Sequence, residues 1–230
     1  MRNRKNLRLR PTIILFTREA TPGLCKTRLA ARIGTHNAAA LADAFTHDAL
    51  AKVCALGLPL VIAASATSAL EENDYFRSLA SRFRAELVDQ EQGHLGVRMA
   101  RVLSAFASTG ALLLGTDTPS LPGSILRRAV ALICHHHVVL GPSLDGGYYL
   151  VGIHGAIPDM FRGIRWGGPR VLQQTIARLD SMGIRPALAP SWYDVDRWGD
   201  LMVLAEQMRL QRHRLACPQT ARVLAQLGLL

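Results

Sequence analysis

Six short apolar runs, at residues 12–17, 59–64, 85–89, 111–116, 138–141 and 148–153, recur along this chain, and none is long enough to be a core helix. Between most of them the apolar residues fall at spacings of three and four. Over residues 37–56, Ala38, Leu41, Ala42, Phe45, Ala49, Val53 and Leu56 paint one face of a helix. Comparable helical patterns cover 95–107, 123–134, 169–182, 198–211 and 218–230. Runs that are apolar throughout suit strands buried on both faces, and their alternation with helices predicts βαβ units with right-handed crossovers around a mostly parallel sheet.

The chain of 230 residues is long enough to bury the core of one α/β domain, expected over 11–230, behind a basic tail over 1–10. With 49% hydrophobic and 19% charged residues it has the balance of a globular enzyme, not of a disordered chain. No apolar run approaches the roughly 20 residues that span a bilayer. Residues 13–16 are too short for the apolar region of a signal peptide, and Arg18 and Glu19 follow at once, so a cytoplasmic protein is expected.

The formal net charge is +10, and Arg2, Arg4, Lys5, Arg8 and Arg10 place much of it in the tail. No aromatic residues interleave with that tail to stack bases, which argues against a nucleic-acid partner and leaves phosphorylated small molecules to account for the remaining charge. Cys25, Cys54, Cys134 and Cys217 show no zinc-type spacing, so reduced thiols are expected. Lys26 beside Cys25 should lower that thiol's pKa, but no paired His marks it as a nucleophile. His135, His136 and His137 alternate sides along an extended chain, cannot converge on one ion, and read as a solvated turn.

Three places carry candidate chemistry. The run at 111–116 stops at Asp117 and is closed by Pro119, so this carboxylate stands at a strand's carboxyl end, where open α/β sheets bind ligands; its alternative role is to cap the turn and the helix beyond Ser120. After the first strand, a glycine-bearing loop with Arg18, Gly23, Lys26 and Arg28 leads into a helix at Thr27, the outline of a phosphate cradle. The kinase-type P-loop fails there, because Cys25 replaces the glycine before Lys26. Near the end, Asp194 and Asp196 would share one face of a strand while Asp200 suits the start of the next helix; Asp196 is the better second ligand for a hard cation shared with Asp117. Weaker signals are Gly93, Gly96 and Arg98 at a helix start, and Asp145, Gly146 and Gly147 before Tyr148, which local chemistry favours as a hairpin turn over a substrate loop.

Taken in order, Pro22-Gly23 with Lys26-Thr27-Arg28-Leu29, Gln92-Gly93 with Gly96 and Arg98-Met99, Thr116-Asp117-Thr118-Pro119, Gly141-Pro142 with Asp145-Gly146-Gly147-Tyr148-Tyr149-Leu150, Trp166 with Pro169-Arg170-Val171-Leu172, and Asp194-Val195-Asp196 form a specific combination. It resembles the bacterial nucleotide-diphospho-sugar transferase-like, glycosyltransferase-like family of domain of unknown function 2064. The resemblance implies a three-layer α/β sandwich with a mostly parallel central sheet, the Rossmann-like glycosyltransferase A (GT-A) fold. It implies a transferase that binds a nucleotide or nucleotide-sugar and a small-molecule acceptor with Mg²⁺ or Mn²⁺, acting by glycosyl or nucleotidyl transfer on an activated sugar or a phosphorylated alcohol.

In that reading Asp117 and Asp196 hold the metal and, with Lys26, form the catalytic set. Arg18, Gly23, Lys26, Arg28, Gly93 and Arg98 bind the nucleotide, and Asp145, Gly146, Gly147 and Tyr148 contact the acceptor or sugar. The chain departs from the pyrophosphorylase Gly-x-Gly-x-Arg loop and from the Asp-x-Asp strand end of many glycosyltransferases, having Thr116-Asp117-Thr118 there. A nucleotide-binding module without turnover is the alternative.

Overall fold

A computed structural model describes residues 10–210 and 217–230. Of the basic tail only Arg10 is among them, donating to the Gly57 carbonyl at 2.9 Å; the rest of the tail, and Gln211 at the end of one helical pattern, lie outside the described residues. The six apolar runs are strands: β1 (Thr12–Arg18), β2 (Leu60–Ser65), β3 (Glu86–Asp89), β4 (Ala111–Gly115), β5 (Val138–Pro142) and β6 (Tyr148–Ile153). A two-residue strand β7 (Ala187–Leu188) completes a seven-stranded sheet in the order β3-β2-β1-β4-β6-β5-β7.

β1 pairs in parallel with β2 and β4, β2 with β3, and β5 with β7, while β6 runs antiparallel to both its neighbours. The reversal has a local cause. Asp145, Gly146 and Gly147 form the hairpin turn their chemistry favoured, with the Gly147 amide donating to Asp145 Oδ1 at 2.9 Å and Ser143 N to the Gly147 carbonyl at 3.0 Å. The carboxyl ends of β1, β4 and β5 and the start of β6 therefore share one edge of the sheet. Strand order changes direction at β1 and β4, and this switch point is where a crevice opens in sheets of this kind.

Helices α1 (Thr27–Ile33), α2 (Thr35–Cys54), α3 (Asp74–Phe83), α4 (Leu95–Phe106), α5 (Gly123–Ile133), α6 (Val171–Asp180), α7 (Trp198–Leu210) and α8 (Pro218–Gln226) complete the described elements, with a 3-10 turn at Ala107–Thr109. Alternation along β1 sends Ile13 and Leu15 to a face packed with Leu50 of α2, Phe76 of α3 and Leu126 of α5, and Ile14 to the opposite face with Met99 and Leu103 of α4 and Leu179 of α6. This gives the three layers. A third cluster joins Leu29 of α1, Phe45 of α2, Leu204 of α7 and Leu224 of α8 beside the sheet. No helix among the described residues is long and apolar enough to cross a membrane.

Two elements escaped the sequence reading. α3 carries its own start signal, since Asn73 Oδ1 accepts the Phe76 amide at 3.1 Å and Phe76 and Leu79 are buried, whereas β7 is too short to show any periodicity. The histidine triplet is an exposed turn before β5, as expected.

The end of the chain is fixed through α2. Asp48, 1% exposed, accepts from the amides of Gln219 and Thr220 at 3.1 and 2.8 Å and from the Thr220 hydroxyl at 2.6 Å, so it caps α8 from a distance in sequence. Asp48→Ala orphans three donors, two of them the buried amide and hydroxyl of Thr220, and is expected to cost about 2–4 kcal/mol. A loss below about 1 kcal/mol in urea denaturation, the range of an ordinary surface change, would show that α8 does not depend on this carboxylate.

Candidate functional site

The backbone after β1 turns at residues 21–25 and reaches Lys26 in the left-handed region, φ 44° and ψ 42°, where its carbonyl accepts the amides of Leu29 and Ala30 as the first hydrogen bonds of α1. A non-glycine residue in this conformation is strained by about 1–2 kcal/mol and needs compensation from its surroundings. Here the side chain supplies it. Lys26 Nζ lies 2.6 Å from Asp117 Oδ1, 2.8 Å from Asp196 Oδ1 and 2.8 Å from the Val195 carbonyl, with the Phe45 ring centroid at 5.3 Å. Burial opposes the charge on this side chain, which is 7% exposed, but Asp117 and then Asp196 outweigh it and hold the ammonium's pKa above the usual lysine range.

Asp117 follows β4 and Asp196 precedes α7. The Val195 amide donates to the Asp117 carbonyl at 2.8 Å, and Ser120 Oγ accepts from Trp192 Nε1 at 3.1 Å while donating to Tyr193 Oη at 2.9 Å. These bonds bring two loops far apart in sequence into register. Asp200 caps α7, accepting the amides of Asp196 and Arg197 at 3.1 and 2.8 Å, in line with its expected place at the helix start. The stretch around Asp194 and Asp196 is not a strand, and the two carboxylates have different partners: Ser143 Oγ donates to Asp194, whereas Asp196 takes Lys26. Asp117 caps no helix among the described residues, and α5 starts after Pro122 without a side-chain cap.

Above these carboxylates opens a cleft of about 680 Å³. Lys26, Asp117 and Asp196 line it together with Arg18, Arg28 and Arg98, so both charged halves of the expected site meet in one space. None of the three arginines has a carboxylate partner among the described residues. Arg98 is fixed instead by Gln90, which the sequence reading missed. The buried Gln90 amide donates to the carbonyls of Thr17 and Ala63, both at 2.7 Å, leaving its oxygen to accept from Arg98 Nη1 at 2.8 Å. Gln90 follows β3 directly, the position relative to its strand that should have drawn notice. The Arg98 guanidinium lies 5.5 Å from the Phe16 ring centroid, its Nε is buried without a partner, and burial and then the Arg18 charge lower its pKa.

Asp145 and Tyr148 also face the cleft, but Gly23, Gly93, Gly146 and Gly147 do not line it. Gly146 serves packing: with φ +89°, a Cβ there would sit 1.9 Å from the Pro169 carbonyl oxygen. Gly96 likewise lets α4 approach Trp166 and Phe161. The Tyr148 ring stands edge-on to Trp166 at 6.3 Å, and burial raises its hydroxyl's pKa. Cys25 reverses its expectation, because burial pushes the thiol's pKa up despite Arg18 and Lys26.

The donor set suits a hard divalent cation in part. Two carboxylates converge on a point that already holds a positive charge, and at 47% and 41% exposure they are open to the cleft. Among the described residues no group of three or more potential protein ligands surrounds such a point. That is the donor count expected of Mg²⁺, which is bound through one or two carboxylates and completes its shell with substrate phosphates and water.

Residues 46–168 match the family model described as "Uncharacterized protein conserved in bacteria (DUF2064)". The chain belongs to this family. Its structure is similar to that of a candidate nucleotide-diphospho-sugar transferase from Desulfovibrio desulfuricans G20, with a TM-score of 0.82 and 28% identity over 95% of this chain and 96% of that one. It also resembles a cytidylyltransferase from Leptospira borgpetersenii, at TM-score 0.56 and 12% identity over 96% of both chains. Glucosyl-3-phosphoglycerate synthase from Mycobacterium tuberculosis, solved with Mn²⁺, UDP and its product, matches at TM-score 0.50 and 10% identity over 91% of this chain and 80% of that one. No curated protein matches the chain. The fold is the nucleotide-diphospho-sugar transferase fold that the family resemblance implied, and it is shared by nucleotidyl and glycosyl transferases.

Asp194 is a site residue that the sequence motif contained and the reading passed over for Asp196. Burial, with Asp145, Asp117 and Asp196 adding to it against the Ser143 hydrogen bond, pushes its carboxyl up to about 7. A carboxyl titrating higher folded than unfolded binds more protons in the native state, so its contribution to stability falls as pH rises from roughly 4 to 7. Metal-free Asp194→Asn lacks this penalty. Its Tm is expected to match the parent's near pH 4 and to exceed it above pH 7; equal Tm values at pH 8 would refute the buried, raised carboxyl.

Proposed function

We propose that this protein is a Mg²⁺- or Mn²⁺-dependent nucleotidyltransferase that transfers the nucleoside monophosphate unit of a nucleoside triphosphate to a phosphorylated alcohol or sugar, with pyrophosphate as the leaving group. The observation that carries the reading is the convergence of Asp117 and Asp196 on one cation position, facing Arg18, Arg28 and Arg98 across a single cleft. Three guanidinium groups and one ammonium are more positive charge than a sugar nucleotide's diphosphate needs, which favours triphosphate over the glycosyl version.

Asp117 and Asp196 would hold the divalent ion, which when bound supplies charge stabilisation and alignment of the phosphates. Arg18 and Arg28 grip phosphate oxygens at the start of α1, and Lys26 neutralises charge that builds on the leaving group. Gln90 keeps Arg98 turned toward the ligand, so little rotamer freedom is lost on binding. Asp145 and Tyr148 contact the acceptor from the β5–β6 hairpin. Free thiols at Cys25, Cys54, Cys134 and Cys217 suit the reducing cytoplasm, the proposed location.

Nucleoside triphosphates and sugar nucleotides, screened by thermal shift with Mn²⁺, should identify a stabilising triphosphate, and phosphorylated alcohols added to it should release pyrophosphate. Release of nucleoside diphosphate from a sugar nucleotide would assign the glycosyl version, and binding without either product would leave a nucleotide-binding module. Asp117→Ala is expected to weaken Mn²⁺-dependent nucleotide binding by roughly tenfold or more and to remove turnover, a loss of several kcal/mol in the transition state. Binding as tight as the parent's by calorimetry would rule out the metal assignment.

A further inference from the structure

We infer that the cleft takes up its divalent ion far more readily as a metal–polyphosphate complex than as the free ion, because Lys26 occupies the cation position and leaves it at low cost only when a phosphate replaces the carboxylates as its partner. The inference rests on the metal reading above and specifies the ligand that site takes.

The ammonium sits 2.6 Å from Asp117 Oδ1 and 2.8 Å from Asp196 Oδ1. A Mg²⁺ ion at its usual distance of about 2.1 Å cannot share those two oxygens with a hydrogen-bonded ammonium, since the two cations would then be in near contact. Metal entry between the two carboxylates, at the position the ammonium holds, is therefore an exchange. Lys26 must move into the cleft, and there it meets Arg18, Arg28 and Arg98, none of which has a carboxylate partner among the described residues. With no anion present, the move gives up two ion pairs and the Val195 carbonyl and adds a fourth positive charge to three.

A polyphosphate changes each of these terms. It gives Lys26 a new partner, compensates the arginines, and supplies the oxygens that two carboxylates alone cannot provide to the metal. Metal and polyphosphate thus bind with positive coupling, and by linkage each strengthens the other equally.

The test is calorimetric titration of Mn²⁺ into the protein without nucleotide. Lys26→Met is expected to bind Mn²⁺ at least about tenfold more tightly than the parent, whereas Arg128→Met, which removes an exposed charge outside the cleft, should change the affinity by less than about threefold. Equal affinity in Lys26→Met and the parent, or an equal gain in Arg128→Met, overturns the exchange.

A second measurement needs no variant. Acetylation read by mass spectrometry should find Lys26 protected in the ligand-free protein and labelled faster once Mn²⁺ alone is forced to saturation; unchanged protection with Mn²⁺ bound overturns the inference. Titrations repeated with inorganic tripolyphosphate separate the two claims. Mn²⁺ that never binds, with or without tripolyphosphate, overturns the metal reading and the exchange together. Mn²⁺ that binds with tripolyphosphate while Lys26→Met shows no gain overturns the exchange alone.

Discussion

One ammonium group joins the three segments that make this cleft. Lys26 at the start of α1 reaches the loop after β4 through Asp117 and the segment before α7 through Asp196 and the Val195 carbonyl. Without it, two carboxylates would face each other at the mouth of a crevice with nothing between them. Burial alone would favour the neutral amine, and the two acids reverse that preference. The strained backbone of Lys26 belongs to the same arrangement, since a left-handed residue at a helix start persists only where its surroundings over-determine it.

The sheet decides where this can happen. A single antiparallel strand, β6, returns the chain to the edge at which β1, β4 and β5 end, so the hairpin residues and the strand-end acids meet on one side. Gln90 does comparable work across the cleft. Its two donated bonds tie the carboxyl ends of β1 and β2 together, and the remaining oxygen orients Arg98. Arg98 is thereby held in place without a carboxylate neutralising it, which is the arrangement that the proposed anionic ligand requires.

Much of the fold was legible because each buried strand is a nearly pure apolar run and the major helices show spacings of three and four. α3 was missed although Asn73, Phe76 and Leu79 announce it, and β7 has too few residues to carry a pattern. In the site, Asp117, Asp196, Lys26, Arg18, Arg28 and Arg98 could be picked out as charged groups at strand ends and helix starts. Their pairing could not, because Lys26 and Asp196 are brought together only by the tertiary path of the chain. The same limit applies to Gln90, whose role depends on two carbonyls from different strands, and to Asp194, whose burial no local pattern reveals. The glycines at 93 and 96 signalled close approach to a ligand, but Gly96 makes its approach to Trp166 and Phe161, and Gly146 of the hairpin turn packs on Pro169.

The central claim is that Lys26 bridges Asp117 and Asp196 in the ligand-free protein. A double-mutant cycle on unfolding free energy, built from Lys26→Met, Asp117→Asn and the double variant, tests it most directly. The account predicts a coupling energy of about 1 kcal/mol or more between the two positions, as found for charged groups in direct contact. Additive single effects, with coupling within about 0.3 kcal/mol of zero, would mean that the ammonium and the carboxylate do not meet.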